Sequence, residues 1–333
     1  MRSFAFLLCA ACATTPAAKP VSIPMPRAYV APHAVSAVVV DGKLDDAVWD
    51  QAPWTADFVD IEGDRKPRPR FRTRVKMAWD ATYLYVAADM EEPHLQATFT
   101  KRDSYIFHAD NDFEVFLDPD GDTHRYFEFE MNALNTMWDL MLVKPYRDGG
   151  PAIDGWDCAG LKHAVHLDGT LNDPRDTDRG WSVELAIPWT SLPHKRPRRG
   201  DHWRINFSRV QWHYRVEGGA YVQEKKRGED NWVWSPQGVV AMHRPETWGY
   251  LQFGGGAFRA PADHTARWLL REIYYGQRKR LKKGQPLATH VNQLALPDVG
   301  LAPRLVVAGK RFRAVIDRPG GKPLAIDEQG RLR

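Results

Sequence analysis

The sequence predicts an all-β protein, an antiparallel β-sandwich of the immunoglobulin or jelly-roll kind, carrying a C-terminal amphipathic helix and a small α+β appendage. Three observations carry that prediction. Between residues 35 and 253, short alternating apolar and polar runs recur, punctuated by Asp, Gly and Pro, without a long 3.6-residue periodicity. The 333-residue chain is 43% hydrophobic and 26% charged, so a conventional core can form and neither a disordered nor a multi-pass membrane chain is expected. Its 3 cysteines leave only Cys158 in the body, so packing rather than a disulfide framework must hold the fold.

At the N-terminus, Arg2 precedes an apolar run over 4–11 that is too short to span a bilayer and suits an export signal. Leu8-Cys9-Ala10-Ala11-Cys12 resembles a bacterial lipoprotein signal, although Cys9 stands where Leu is usual. Residues 1–12 are therefore the expected signal, and Cys12 is the lipidated first residue after cleavage. Ala13, rather than Asp, follows it, which by that resemblance implies an exported outer-membrane lipoprotein of the cell envelope; a periplasmic or secreted product is the alternative. Residues 13–34, with Pro16, Pro20, Pro24, Pro26 and Pro32, read as an extended tether.

Strands are expected over 35–40, 73–79, 84–90, 113–117, 125–132, 136–143, 181–187, 204–211 and 250–253, with a short helix over 45–51 that buries Leu44, Val48 and Trp49. The 13 Trp nearly equal the 14 Phe. Trp138, Trp181, Trp189, Trp203 and Trp248 sit at strand positions and read as packing residues, whereas Trp212, Tyr214, Trp232 and Trp234 lie by Gly-rich, charged loops and suit an exposed platform.

Alternation assigns two faces to the central hairpin. Phe113, Val115 and Leu117 point inward with Phe127, Phe129 and Met131, so Asp112, Glu114, Phe116 and Asp118 share the other face with Tyr126, Glu128, Glu130 and Asn132. A turn near Gly121 brings Asp112 and Glu114 alongside Glu128 and Glu130. Facing carboxylates repel across a ladder, so arginine partners, a bound cation, protonation or ligand hydroxyls must compensate. Arg209 is a candidate counter-charge, with a structural ion pair as its plainer role. The turn Asp118-Pro119-Asp120-Gly121-Asp122 alternates carboxylates as a calcium loop does, but Phe129 occupies the place of that loop's final glutamate, so a tight β-turn is the expected reading. Asp118, Asp120 and Asp122, with Asp41 and Asp45 of the DGKLD segment, are the candidate calcium ligands.

VDGKLDDAVWDQA at 40–52, VKMAWDATYLYVAADM at 75–90, DNDFEVFLDPDGD at 110–122 and YFEFEMNALNTMWDL at 126–140 follow in order. GWSVELAIPW at 180–189, WRINFSRV at 203–210 and WSPQGVVAMHRPETWGYLQF at 234–253 complete the series. Together, over residues 35–253, they resemble a family 9 carbohydrate-binding module and its DOMON-type relatives. The resemblance implies a two-sheet sandwich that binds structural calcium, needs no organic cofactor, and grips oligo- or polysaccharide between two aromatic rings beside glycan-degrading enzymes. Glu114 and Asn132 match residue types that bind sugar hydroxyls in that family. One clamp Trp of the family falls near His108 with Phe107 adjacent, and the other near Met242 and His243; Glu130 stands where the family can carry Arg.

The functional expectation is thus a surface-tethered, non-catalytic protein that binds carbohydrate and supports polysaccharide breakdown. The alternative is a glycoside hydrolase using Asp112, Glu114, Glu128 and Glu130 as acid and base. A third reading, from haem-binding relatives of the sandwich, would use Met131, Met242 and His243. His163 and His166 are spaced for a helix but lie in a β-rich stretch, which argues against a shared zinc.

After the hinge at Gly254-Gly255-Gly256, residues 254–333 form a basic unit, with 16 Lys and Arg against 6 Asp and Glu, leaving 30 against 36 before it. The folded body is therefore the acidic part, which excludes a nucleic-acid reader. Ala266, Leu269, Leu270 and Ile273 mark one helix over 262–283, whose basic end complements the helix dipole or attracts acidic partners. Short strands are expected over 305–308, 311–316 and 324–326.

Overall fold

The structure is a computed structural model that describes residues 23–318 and 320–333. The expected signal, Cys12 and the first part of the tether lie outside the described residues. The strands, in chain order, are β1 (Ala28–Ala31), β2 (Val59–Asp60), β3 (Thr73–Trp79), β4 (Tyr83–Glu91), β5 (Asp112–Asp118) and β6 (Tyr126–Asn132). β7 (Met137–Leu142), β8 (Ala152–Ile153), β9 (Lys162–Asp168), β10 (Gly180–Pro188), β11 (His202–Gln211) and β12 (Tyr214–Glu217) follow. β13 (Ala220–Gln223), β14 (Asp230–Val233), β15 (Gly249–Phe253), β16 (Arg304–Ala308), β17 (Arg311–Ile316) and β18 (Leu324–Asp327) complete the set, with α1 at Ala47–Gln51 and α2 at His264–Lys282.

One sheet runs β1-β15-β11-β5-β6-β7-β8, with β14 beside β11 and β2 beside β14; the facing sheet runs β3-β4-β10-β9. Apart from β1, which pairs parallel with β15, the ladders are antiparallel. The inward alternation expected for the central hairpin holds. Phe113, Val115, Leu117, Phe127, Phe129 and Met131 meet Val75, Val86, Val183 and Leu185 of the other sheet in one buried core. Most expected strands lie within two residues of their predicted bounds.

Two expectations fail at the N-terminal edge. Residues 35–40 form no strand: Val35 and Val39 are exposed, and the Val39 amide donates to Asp46 instead. The strand there is β1, inside the stretch read as tether, where Ala28–Ala31 lies along Tyr250–Phe253. Prolines bracket β1 rather than occupy it, so its amides are free to pair.

The DGKLD turn is held by β10. The Glu184 carboxylate accepts from the Asp41 and Gly42 amides at 3.0 and 2.9 Å and from the Trp49 indole at 2.7 Å. Gly42 has φ +86°, and a Cβ there would lie 2.5 Å from the His166 backbone nitrogen, so both dihedral and space demand glycine.

In the C-terminal unit, Leu269, Leu270, Ile273 and Tyr274 of α2 pack on Phe312, Ile316, Leu324 and Ile326 of the β16-β17-β18 sheet. The unit is fastened to the sandwich. Arg271 donates to Thr123 and Gly330, Arg278 donates to Asp148, and the Leu332 amide donates to the Asp122 carbonyl. No helix among the described residues is long and apolar enough to cross a membrane.

Candidate functional site

The outward face of β5, β6 and β7 collects the polar residues that alternation placed there. Register sets Glu114 opposite Glu130, Asp112 opposite Asn132 and Phe116 opposite Glu128. All four carboxylates are buried, Asp112 wholly and Glu114 to 5% exposure, and among the described residues no arginine or lysine bridges them. Burial raises every one of them, Glu114 to about 7 and Asp112, Glu128 and Glu130 well above the ordinary carboxylate range, with mutual repulsion adding to the last three. Protonation is thus one of the compensations that the facing acids require. Asp112 Oδ2 and Glu128 Oε2 are buried without a hydrogen-bond partner, and oxygens of Asp112, Glu114 and Glu130 lie within 4.8 Å of one another.

Around this floor stand rings. The segment Ile106–His108 crosses one side, with the Phe107 amide 3.4 Å from Glu130 Oε2. Tyr105, half-exposed, packs edge-on against Phe107 and Trp138 at centroid distances of 4.6 and 5.1 Å. On the other side His243 accepts or donates at 3.0 Å to the Tyr126 hydroxyl and sits 4.0 Å from Glu128, with the half-exposed Tyr146 edge-on at 4.5 Å. Burial, with help from Arg147, pushes His243 down to about 4 and keeps it neutral. Burial and then Glu130 and Glu128 raise Tyr105; burial and then Glu128 raise Tyr146 to about 12. Both phenols therefore look onto the same acids.

Several expected site residues do other work. Arg209 points through the sheet to the opposite face, where it pairs with Glu92 at 3.0 Å and also donates to Thr73 and Gln211. It cannot neutralise the acidic face, because odd-numbered β11 residues face the interior. Asn132 is on the predicted face, but its amide is saturated: Nδ2 donates to Phe99 and Asp110, and Oδ1 accepts from the Leu134 and Thr136 amides. Its hydrogen bonds shape the loop behind the floor. Met242 Sδ accepts from Gln237, and His108 is exposed beside Tyr105. Trp232 and Trp234 are buried rather than exposed, while Trp212 and Tyr214 tie the Phe107 and Ala109 carbonyls from half-buried positions. Tyr105 and Tyr146 were not singled out in the sequence, although an aromatic two residues before Phe107 and another in a Pro-Tyr-Arg-Asp-Gly-Gly loop are visible signals.

The haem reading loses its ligand set, since Met131 faces the core while Met242 and His243 lie on the other side of the sheet. His163 and His166 are in β9, as the β-rich context required, and the rings face opposite ways. The four acids of the acid-base reading lie together on this face, and burial raises all of them.

The calcium candidates fare differently. Asp118, Asp120 and Asp122 converge within 4.8 Å, but Asp118 accepts from the Gly121 and Thr123 amides, and Asp122 carries Arg331 at 2.7 Å and the His124 amide. Those bonds close the turn and place a guanidinium on Asp122. Asp41 caps its own turn through the Lys43 amide and Asp45 is exposed; neither joins an acidic cluster.

Two curated relatives are each 28% identical over 165 residues, half of this chain: an exoglucanase, XynX, of Acetivibrio thermocellus and an endo-1,4-beta-xylanase A of Thermoanaerobacterium saccharolyticum. The chain spans only 13% and 12% of their lengths. A solved protein of Bacteroides uniformis, described as carbohydrate-binding, shares the fold with a TM-score of 0.52 at 16% identity, covering 68% of this chain and 99% of that one. The model of one family matches residues 40–210, half of the chain and the whole stretch from the DGKLD turn through β11, and on that match the chain belongs to the carbohydrate family 9 binding domain-like proteins.

Proposed function

We propose that the chain is a non-catalytic binding protein that holds oligo- or polysaccharide on the β5–β6–β7 face and so supports polysaccharide breakdown. The observation that carries the reading is the pair of half-exposed phenol rings, Tyr105 and Tyr146, which flank the Glu128 and Glu130 carboxylates through Phe107 and His243. A sugar ring offers a flat C–H face and a rim of hydroxyl donors. Aromatic faces suit the first, and the orphaned oxygen of Glu128 accepts from the second. In this reading the tyrosines take the place of the tryptophan clamp, with Phe107, His108, Met242 and His243 as the frame that holds them.

The family assignment supports binding rather than turnover, and the names of the two curated relatives suggest xylan- and glucan-type chains as ligands. The protein would work beside separate glycan-degrading enzymes, held at the cell envelope by a lipid on Cys12. Radiolabelled palmitate incorporation that disappears in Cys12→Ser is the expected outcome for that anchor.

Calorimetric titration of the full chain with glucose, xylo-oligosaccharides and cello-oligosaccharides tests the central claim. Saturable binding is expected for at least one of them, weakened at least tenfold in Tyr146→Ala and in Tyr105→Ala, without release of reducing ends. A folded sample that binds none of these sugars overturns the reading. Reducing-end release abolished in Glu114→Gln would instead establish the hydrolase.

A further inference from the structure

A concavity lies away from that face, between the sandwich and the C-terminal unit. It is a cavity of about 510 Å³, within the usual range for small-molecule sites, and its wall includes Thr123, Arg204, Arg244, Trp268, Arg271 and Tyr275. Its charge is unbalanced. Arg27 and Arg267 also line it, Arg267 paired with Asp263 at 3.0 Å, so five arginines stand beside the three glutamates Glu62, Glu246 and Glu272.

Those carboxylates compensate only in part. Glu62 is engaged by Lys66 at 3.2 Å, and Glu246 already accepts from Arg147 at 2.9 Å and from the Tyr275 hydroxyl. Burial raises Glu272 toward its neutral form. Arg204, 7% exposed, hydrogen-bonds only neutral groups, the Trp248 carbonyl at 2.8 Å and the Tyr250 hydroxyl at 2.7 Å. Arg271, 3% exposed, donates to the Gly330 carbonyl and the Thr123 hydroxyl, and its Nε has no acceptor. The buried Arg244 Nε pairs with Glu246 Oε1 at 3.5 Å but makes no hydrogen bond. A buried guanidinium without an anion and an N–H without an acceptor are each costly. An anionic oxygen in this cavity would relieve both. The half-buried Trp268 and Tyr275 add flat apolar surface, so the space suits an anion carried on a ring-sized body rather than a bare ion.

We propose that this cavity is a second ligand site, distinct from the β5–β6–β7 face, that takes a small organic carboxylate such as a sugar acid through Arg271, Arg244 and Arg204. The sandwich alone cannot build it. Arg204 and Arg244 come from the sandwich, whereas Arg271, Trp268 and Tyr275 come from α2.

Calorimetric titration of the full chain with glucuronate, glucose and inorganic phosphate in a low-chloride buffer tests the site. Glucuronate is expected to bind saturably and at least tenfold more tightly than either of the others, to weaken at least tenfold in Arg271→Gln and in Trp268→Ala, and to be unchanged in Tyr146→Ala. Arg271 also ties α2 to Thr123, so its variant is checked for folding by circular dichroism, and Trp268→Ala carries the test if that variant fails to fold. Absence of glucuronate binding overturns the proposal. So does equal binding of glucose, which would indicate a neutral-sugar site, or of phosphate, which would indicate a bare anion hole. Glucuronate binding that survives both cavity variants places it elsewhere and also overturns it. Neutral-sugar binding that depends on Tyr146 is read separately, so either proposal can fail alone.

Discussion

Glu130 faces Glu114 across the β5–β6 ladder, and burial followed by repulsion from Glu114 and Glu128 raises it well above the ordinary carboxylate range. A carboxyl raised in the folded state binds more protons there than in the unfolded chain. Its stabilising contribution is therefore complete below about pH 4.5 and is lost as the pH rises through the folded value. Because Glu114 rises to about 7 and its three neighbours rise as well, the melting temperature is expected to fall by several degrees between pH 5 and pH 8. Glu130→Gln should flatten that decline, and an unchanged slope in a pH series of thermal melts would refute the assignment. Arg209 shows the opposite economy, a buried charge with a dedicated partner. Arg209→Met leaves the buried Glu92 carboxylate without its cation and should cost about 3–5 kcal/mol in urea unfolding. Much of that loss should return in Arg209→Met combined with Glu92→Gln. Neither role was visible from the residue type. Parity along β11 decides which side of the sheet Arg209 faces, and four local bonds decide that the Asn132 amide has no capacity left.

At the scale of elements, strands with a strict period of two were legible because one face meets the core. β5, β6 and β10 read directly, and their inward residues are the buried ones. The strands that escaped notice are short or lie at edges. β9 is half-exposed on both faces, so His163, His166 and their neighbours carry no alternation to detect. β2, β8 and β14 have two to four residues, too few for a pattern. β1 was hidden for another reason: it stands among prolines that suggest a tether, and only the free edge of β15 gives its amides partners. The DGKLD turn illustrates the complementary case. Its sequence announces a turn, but the carboxylate that satisfies its amides, Glu184, comes from a strand 142 positions later.

The whole molecule is more than a sandwich with a loose tail. Tyr274 and Arg278 both engage Asp148 of the loop before β8, and Arg271 reaches Thr123 in the turn after β5. Asp148→Ala should therefore loosen the seam by about 1–3 kcal/mol and accelerate amide exchange across α2 before the sandwich unfolds. Exchange rates in α2 that match the wild type would show that the seam does not depend on Asp148. The basic run at the end of α2 is likewise divided by tertiary structure, since Arg278 is spent on this seam while Lys279, Lys282 and Lys283 stay exposed. By itself the sequence determined the sandwich, its inward and outward residues, the amphipathic helix and the acidic hairpin face, because each of these follows from spacing along one chain segment. Only the tertiary structure decided that no arginine among the described residues answers those acids, that Tyr105 and Tyr146 flank them, and that α2 closes an arginine-lined cavity against the sandwich. Such facts depend on which distant side chains share a small volume, and local periodicity carries no record of that.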